Sequence, residues 1–209
     1  LISPRLVAGS FASVGISPTA LRYTEAVTLE TTGVVRARSF DGGEWSALSE
    51  ASFVVGVPAT SENLVVSEIM YHAEGGTEYD YLELMNVSVT DTVELSGVRF
   101  AEGIKFEFAF GSSLLPGERI LLVEDLVAFA ARYGHDHPVA GQYVGKLDNG
   151  GERLVLLGLE QAVIQDFVYD DEGGWPVRPD GAGASLVLIA PENLPVHSNS
   201  MSWRSSVSP

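Results

Sequence analysis

SEIMYHAEGGTEYDYLELMNVSVTDTVELSGVRF, residues 67–100, is the stretch whose reading decides the fold. On an extended backbone Tyr79, Tyr81, Glu83 and Met85 point to one side of the chain, and Glu78, Asp80, Leu82 and Leu84 to the other. Each face mixes apolar with acidic positions, as expected of a half-buried strand. Asn86 closes this strand, where its side chain can form an Asx-type turn. Gly97 permits a bend or bulge as the next strand begins. Glu68 and Glu83 each sit inside a run that otherwise looks buried, so their carboxylates need internal partners.

Working outward, short β-rich runs separated by glycine clusters recur along the chain, which contains 22 glycines. Strands are predicted at 27–28, 33–40, 50–55, 64–71, 79–86, 93–101, 105–110, 119–123, 142–147, 153–157, 162–169 and 185–189. An all-β, immunoglobulin-like sandwich with one short helix follows. The helix is predicted from the spacing of Leu126, Phe129, Ala130 and Tyr133, with Asp125 as its N-cap and Gly134 at a left-handed C′ position. GKLDNGGERLVLL, residues 145–157, reads as a hairpin turning at Asn149, Gly150 and Gly151, which would pair 144–147 with 154–157. GVPATSEN, residues 56–63, has linker composition. The expected organisation is therefore a first piece at 1–56, a linker at 57–63, a complete sandwich at 64–191 and an extension at 192–209. The extension is rich in Ser, Pro and Asn, and is expected to wrap the surface, Trp203 included, rather than form core.

The formal net charge of −16, with only 12 Lys and Arg among 209 residues, repels phosphate backbones and anionic membranes. No apolar run approaches the roughly 20 residues of a spanning helix, so membrane insertion is not expected. The absence of cysteine removes disulfides, thiolate metal sites and a cysteine nucleophile. The opening LISPRL has no initiator Met, basic region or apolar region of a targeting signal, and the natural start is expected upstream.

The quoted stretch is similar to the opening of bacterial lamin tail domains, with E-I-M-Y at 68–71, Y-x-x-L-E-L-x-N-like residues at 79–86 and Glu94, Leu95, Ser96 and Gly97 before the next strand. The resemblance continues through SSLLPGERILLV at 112–123, Tyr133 and Gly134, KLDNGGERLVLL at 146–157, VIQDFVYD at 163–170, Trp175 and Pro176, and DGAGASLVL at 180–188. It covers about residues 62–191 and implies an immunoglobulin-like, non-catalytic module in an extracellular or cell-envelope setting. The first piece, through Arg22, Tyr23, VVRARSF at 34–40 and EWSALSEASF at 44–53, resembles the last strands of the fibronectin type III-like domain at the C-terminus of chitobiases and β-hexosaminidases. That likeness covers about residues 3–56, with SPRL at 3–6 resembling the end of a loop. It implies that the chain begins inside a domain.

Three constellations carry possible chemistry. His135 and His137, with Asp136 between them, can share a face as zinc ligands, but only distant His72 and His197 offer further imidazoles, and a solvated loop is the simpler expectation. Asp170, Asp171, Glu172 and Asp180 surround a Gly- and Pro-rich loop that could offer oxygens to calcium; the EF-hand spacing is absent, and Arg178 could neutralise the loop instead. Glu68 and Glu83 could act as a glycosidase pair if separated by roughly 5 to 9.5 Å across a cleft. The structural alternative holds each by backbone amides, an arginine or a cation, with Asn86, Gly97 and Trp175 in structural roles as well.

No nucleophile elbow, P-loop or dinucleotide motif is present, so no catalytic residue and no organic cofactor are expected. The leading expectation is an interaction or spacer module of a large exported bacterial surface protein. Its partners would be other domains of the same chain, or a protein or glycan at the cell surface, and not nucleic acid. The alternative is a carbohydrate-binding accessory domain of a glycoside-active enzyme, presenting Tyr71, Tyr79, Tyr81 and Trp175 to its ligand.

Overall fold

The structure, a computed structural model, describes residues 5–6 and 20–207. The chain divides into two compact units, Leu1–Gly56 and Val57–Pro209. Of the loop expected at 3–6, residues 3–4 lie outside the described residues and 5–6 form a strand.

In the first unit β1 (Arg5–Leu6), β2 (Gly33–Ala37) and β5 (Ser49–Phe53) form an antiparallel sheet in the order β1-β2-β5. Between them β3 (Phe40–Asp41) and β4 (Glu44–Trp45) make a tight ribbon, closed by Gly42 and Gly43 at φ 57° and 91°, a conformation that favours glycine. No strand forms at 27–28, and the run expected at 33–40 breaks after Ala37. None of residues 20–56 is buried, which is the state of a sheet whose apolar face lacks a covering layer.

The second unit is an all-β immunoglobulin-like sandwich. Its strands are β6 (Val57–Pro58), β7 (Leu64–Met70), β8 (Tyr81–Asn86), β9 (Val93–Glu94), β10 (Arg99–Glu102), β11 (Ile104–Glu107), β12 (Ser113–Leu114), β13 (Arg119–Val123), β14 (Val139–Gln142), β15 (Val144–Gly145), β16 (Glu152–Leu157), β17 (Val163–Tyr169), β18 (Leu186–Leu188) and β19 (Trp203–Ser205). One sheet has the order β14-β13-β8-β7-β18-β19 and the other β15-β11-β10-β16-β17; a small third sheet is β12-β9-β6. Leu64, Ile69, Leu82 and Leu84 share one continuous apolar core with Phe100, Ile104, Leu154, Leu156 and Phe167. At about 25 cal/mol per Å² this buried surface is the main stabilising term.

The helix α1 (Leu126–Tyr133) forms where its pattern predicts. The Asp125 carboxylate accepts from the backbone N–H groups of Val127 and Ala128, both at 2.8 Å. Gly134 caps the other end at φ 95° but ψ 176°, so its φ is positive without the left-handed helical ψ. Through Phe129 and Tyr133 the helix packs with Leu121, Val123 and Tyr81 in a second apolar cluster. The helix also makes the crossover that lets β13 and β14 pair in parallel. β7, central in its sheet and covered on both faces, accordingly reads LVVSEIM without alternation.

Several expectations are corrected. The hairpin at 145–157 does not form: Val144 pairs with Lys105 of β11, while β16 pairs with β10 and β17. Residues 57–63 are not a free linker. Val57–Pro58 pairs with Val93–Glu94, Ala59 is buried, and the Asn63 side chain accepts from Thr60 N–H at 2.7 Å and donates to Pro58 O at 2.9 Å. The extension at 192–209 is not a surface wrap either. β19 adds a strand beside β18, and Trp203 is buried against Phe167, Trp175 and His197, donating from Nε1 to His197 O at 2.8 Å. Its single large aromatic outweighs its polar composition because a buried tryptophan removes more apolar area from water than any neighbour.

Candidate functional site

The polar residues of β8 and its flanks are placed by the sheet register. A bulge at Ser67 lets Glu68 stand opposite Glu83 across the β7–β8 ladder. Glu83 accepts from Ser67 Oγ at 2.7 Å and from the Arg119 guanidinium on β13. Glu68 accepts from Tyr81 Oη at 2.6 Å and Ser185 Oγ at 2.5 Å. Burial, then the neighbouring Glu68 carboxylate, pushes the Tyr81 hydroxyl well above its ordinary pKa, which keeps it a proton donor. Both carboxylates are thus engaged by internal donors: the arginine is among the partners expected from sequence, whereas the hydroxyls of Ser67, Tyr81 and Ser185 are not.

Asn86 is fully buried. Its Nδ2 donates to the carbonyls of Asp91, Leu114 and Leu115 at 2.8, 3.0 and 3.0 Å, and its Oδ1 accepts from Ser88 N–H at 2.9 Å, the Asx turn expected from sequence. Gly97 turns the chain between β9 and β10 at φ 72°. Trp175 is half-buried and packs against the main core.

The aromatic residues do not form a ligand-facing row. Tyr71 has no exposed surface and lies 5.2 Å, ring to ring, from Tyr169. Tyr79 lies under the Arg132 guanidinium at 4.6 Å. Tyr81 makes edge contacts with Phe129 and Tyr133 under the helix. A strand places alternate residues on opposite faces, and here the helix covers the face that looked available.

The acidic loop does not converge. Asp170 accepts from the N–H groups of Asp171 and Glu172 at 2.8 and 2.9 Å, and the Glu172 N–H above all holds its carboxyl below the usual range. Asp180 pairs with His72 Nδ1 at 2.7 Å, and Glu172 is exposed. Arg178 donates to Ser206 O at 3.2 Å instead of neutralising this loop. Among the described residues no group of three or more His, Asp or Glu side chains is arranged to hold a metal. His137 donates from Nε2 to Tyr133 O at 2.9 Å and so caps the helix C-terminus, while His135 and Asp136 are exposed. His197 is buried, with its Nε2 donating to Val66 O at 3.0 Å, and burial lowers its pKa.

Sequence reasoning missed a further cluster at the start of β8. Asp80 is 1% exposed; its Oδ1 accepts from Ala73 N–H at 2.9 Å, while Oδ2 has no hydrogen-bond partner among the described residues. The Asp80 carbonyl accepts from Glu124 N–H at 3.0 Å, which draws the end of β13 alongside. Oε1 of Glu124 accepts from Thr77 Oγ1 at 3.4 Å, and its buried Oε2 lacks a partner among the described residues, as do the hydroxyls of Tyr133 and Tyr143. Burial first, with the nearby Glu124 carboxylate adding, pushes the Asp80 carboxyl up to about 7 against the opposing effects of Ala73 N–H and His72. The Tyr143 hydroxyl pKa is raised by burial and then by the Asp80 and Glu124 charges. The alternation around Leu82 marks Asp80 only as sharing its face. Its neighbours come from the residues after β13 and β14 and from α1, which no local spacing reveals.

Among the described residues no helix is long and apolar enough to cross a membrane. Searches of protein families, curated proteins and solved structures find no match to this chain.

Proposed function

We propose that this chain is a non-catalytic interaction or spacer module of a larger exported bacterial surface protein, working outside the cell or in its envelope. The observation that carries the reading is the commitment of Glu68 and Glu83 to internal donors: one carboxylate is held by Arg119 and Ser67, the other by Tyr81 and Ser185. A glycosidase pair needs one carboxyl group free to protonate a leaving group and another facing substrate or water. These two instead knit β7, β8, β13 and the segment entering β18 into one sheet. Its partners are other domains of the longer chain, or a protein or glycan of the cell surface. The acidic composition favours solubility in such a setting and disfavours nucleic acid. The carbohydrate-binding alternative loses the platform on which it rested, since Tyr71 is buried and Tyr79 and Tyr81 pack against Arg132 and the helix.

The test is a panel of chromogenic glycosides and esters together with a glycan array, all using the whole chain. No turnover and no glycan retention are expected. Turnover that disappears in Glu83→Gln with folding intact would replace the proposal with a catalytic one.

A further inference from the structure

We infer that Asp80, Glu124 and Tyr143 form a site for an oxygen-seeking divalent cation of the calcium class. Asp80 and Tyr143 are 1% and 2% exposed, and each keeps an oxygen without a partner among the described residues. Buried polar atoms in native proteins are nearly always satisfied by protein, water or an ion. Glu124 N–H donates to the Asp80 carbonyl at 3.0 Å and Tyr143 N–H to the Val123 carbonyl at 3.0 Å, so the three residues lie on adjacent extended segments. Two neighbouring carboxylates repel each other, and neutral water leaves that repulsion in place, whereas a divalent cation cancels both charges at once.

The basic side chain of the neighbouring helix does not supply the missing charge. Arg132 donates to the Glu74 carbonyl and lies over the Tyr79 ring. The nearby His72 is already paired with Asp180. An all-oxygen donor set disfavours zinc, which selects imidazole and thiolate. It suits calcium, which accepts carboxylate and neutral oxygens in irregular geometry and completes its shell with water. Glu124 is half-buried, unlike Asp80 and Tyr143. This site is separate from the acidic loop at 170–180, in which Asp170 is held by backbone amides and Asp180 by His72.

With only two carboxylates, calcium should bind with a Kd on the order of 10⁻⁴ to 10⁻³ M, the range of extracellular modules. The experiment is calorimetric titration of the whole chain with calcium chloride, paralleled by terbium luminescence sensitised through tyrosine. Asp80→Asn and Glu124→Gln should each weaken calcium binding by about tenfold or more, since each removes a charged ligand. Tyr143→Phe keeps both carboxylates and should lower the sensitised emission per bound ion. Asp170→Asn should leave both readouts unchanged. Should Asp80→Asn fail to fold, Glu124→Gln carries the same test from a half-exposed position. No calcium binding at about 10⁻² M, well above the expected range, would overturn the assignment. So would binding that survives both carboxylate substitutions, or binding that disappears with Asp170→Asn.

Discussion

The two ends of β8 bury polar side chains under opposite conditions. At its C-terminal end Asn86 satisfies both halves of its amide, donating to three carbonyls and accepting from Ser88 N–H. Just before its N-terminal end Asp80, equally hidden from solvent, has one oxygen bonded to Ala73 N–H and the other without a partner among the described residues. Glu83, between them, is engaged by Ser67 and Arg119. A satisfied buried amide ties three segments together, whereas a partly satisfied buried charge works against the fold until a proton or a cation joins it. Along this one strand, structural polarity gives way to polarity suited to binding.

The largest effect should come from breaking the satisfied end. Asn86→Ala strands carbonyls of the 91 and 114–115 segments together with Ser88 N–H, and should destabilise the protein on the order of 3 kcal/mol in urea melts. A loss below about 1 kcal/mol would mean that water replaces the amide readily, and the contrast between the two ends would collapse.

Next in size is Glu83→Leu. It removes the carboxylate that Ser67 and Arg119 donate to, leaving Ser67 only the Glu83 carbonyl at 3.4 Å, and a loss of about 1 to 3 kcal/mol is expected. Equal urea midpoints for this variant and wild type, at unchanged slope, would make Glu83 an ordinary surface residue.

At the other end, Asp80→Asn should stabilise the calcium-free protein at pH 8, by on the order of 1 kcal/mol, because it removes a poorly solvated charge while keeping an acceptor for Ala73 N–H. The sign follows from the raised folded-state pKa. The stabilising contribution of protonated Asp80 is complete below about pH 4, the unfolded value, and is lost as pH rises through about 7. The groups bearing on it are Glu124 and Glu78, which raise its pKa, and Ala73 N–H and His72, which lower it, with Tyr133 and Tyr143 facing it as neutral hydroxyls. Melts of wild type and variant across this window should therefore diverge with rising pH. Parallel curves would show that Asp80 titrates as an exposed carboxylate does.

The smallest effect belongs to Glu78→Leu. Glu78 is exposed in the short helical turn Thr77–Tyr79, and its replacement should shift stability by less than about 0.5 kcal/mol. If it matched Glu83→Leu in a urea melt, burial would not be what separates these two acids.

Features carried by local hydrogen bonds and short-range periodicity were legible in the sequence. The all-β class followed from alternating runs between glycines, α1 from its apolar spacing and the Asp125 cap, and the Asx turn from Asn86 at the end of a strand. Each depends on residues within a few positions of one another, so its signal is local. The need of Glu68 and Glu83 for partners was legible too, because an acid inside an apolar run demands one, but Arg119, Ser185 and Tyr81 could not be singled out. Tertiary structure alone decided which strands meet. GKLDNGGERLVLL has a hairpin's local chemistry, yet β16 pairs between β10 and β17 while β15 pairs with β11. Trp203 lies in a polar tail and is buried because Phe167, Trp175 and His197 leave room for it. The Asp80 cluster is the extreme case: its residues come from α1 and the segments flanking β8, β13 and β14, and they meet only because the sheet register and the helix crossover bring them together. Nothing in the spacing of an aspartate, a glutamate and two tyrosines signals that enclosure, since desolvation is a property of the packed whole.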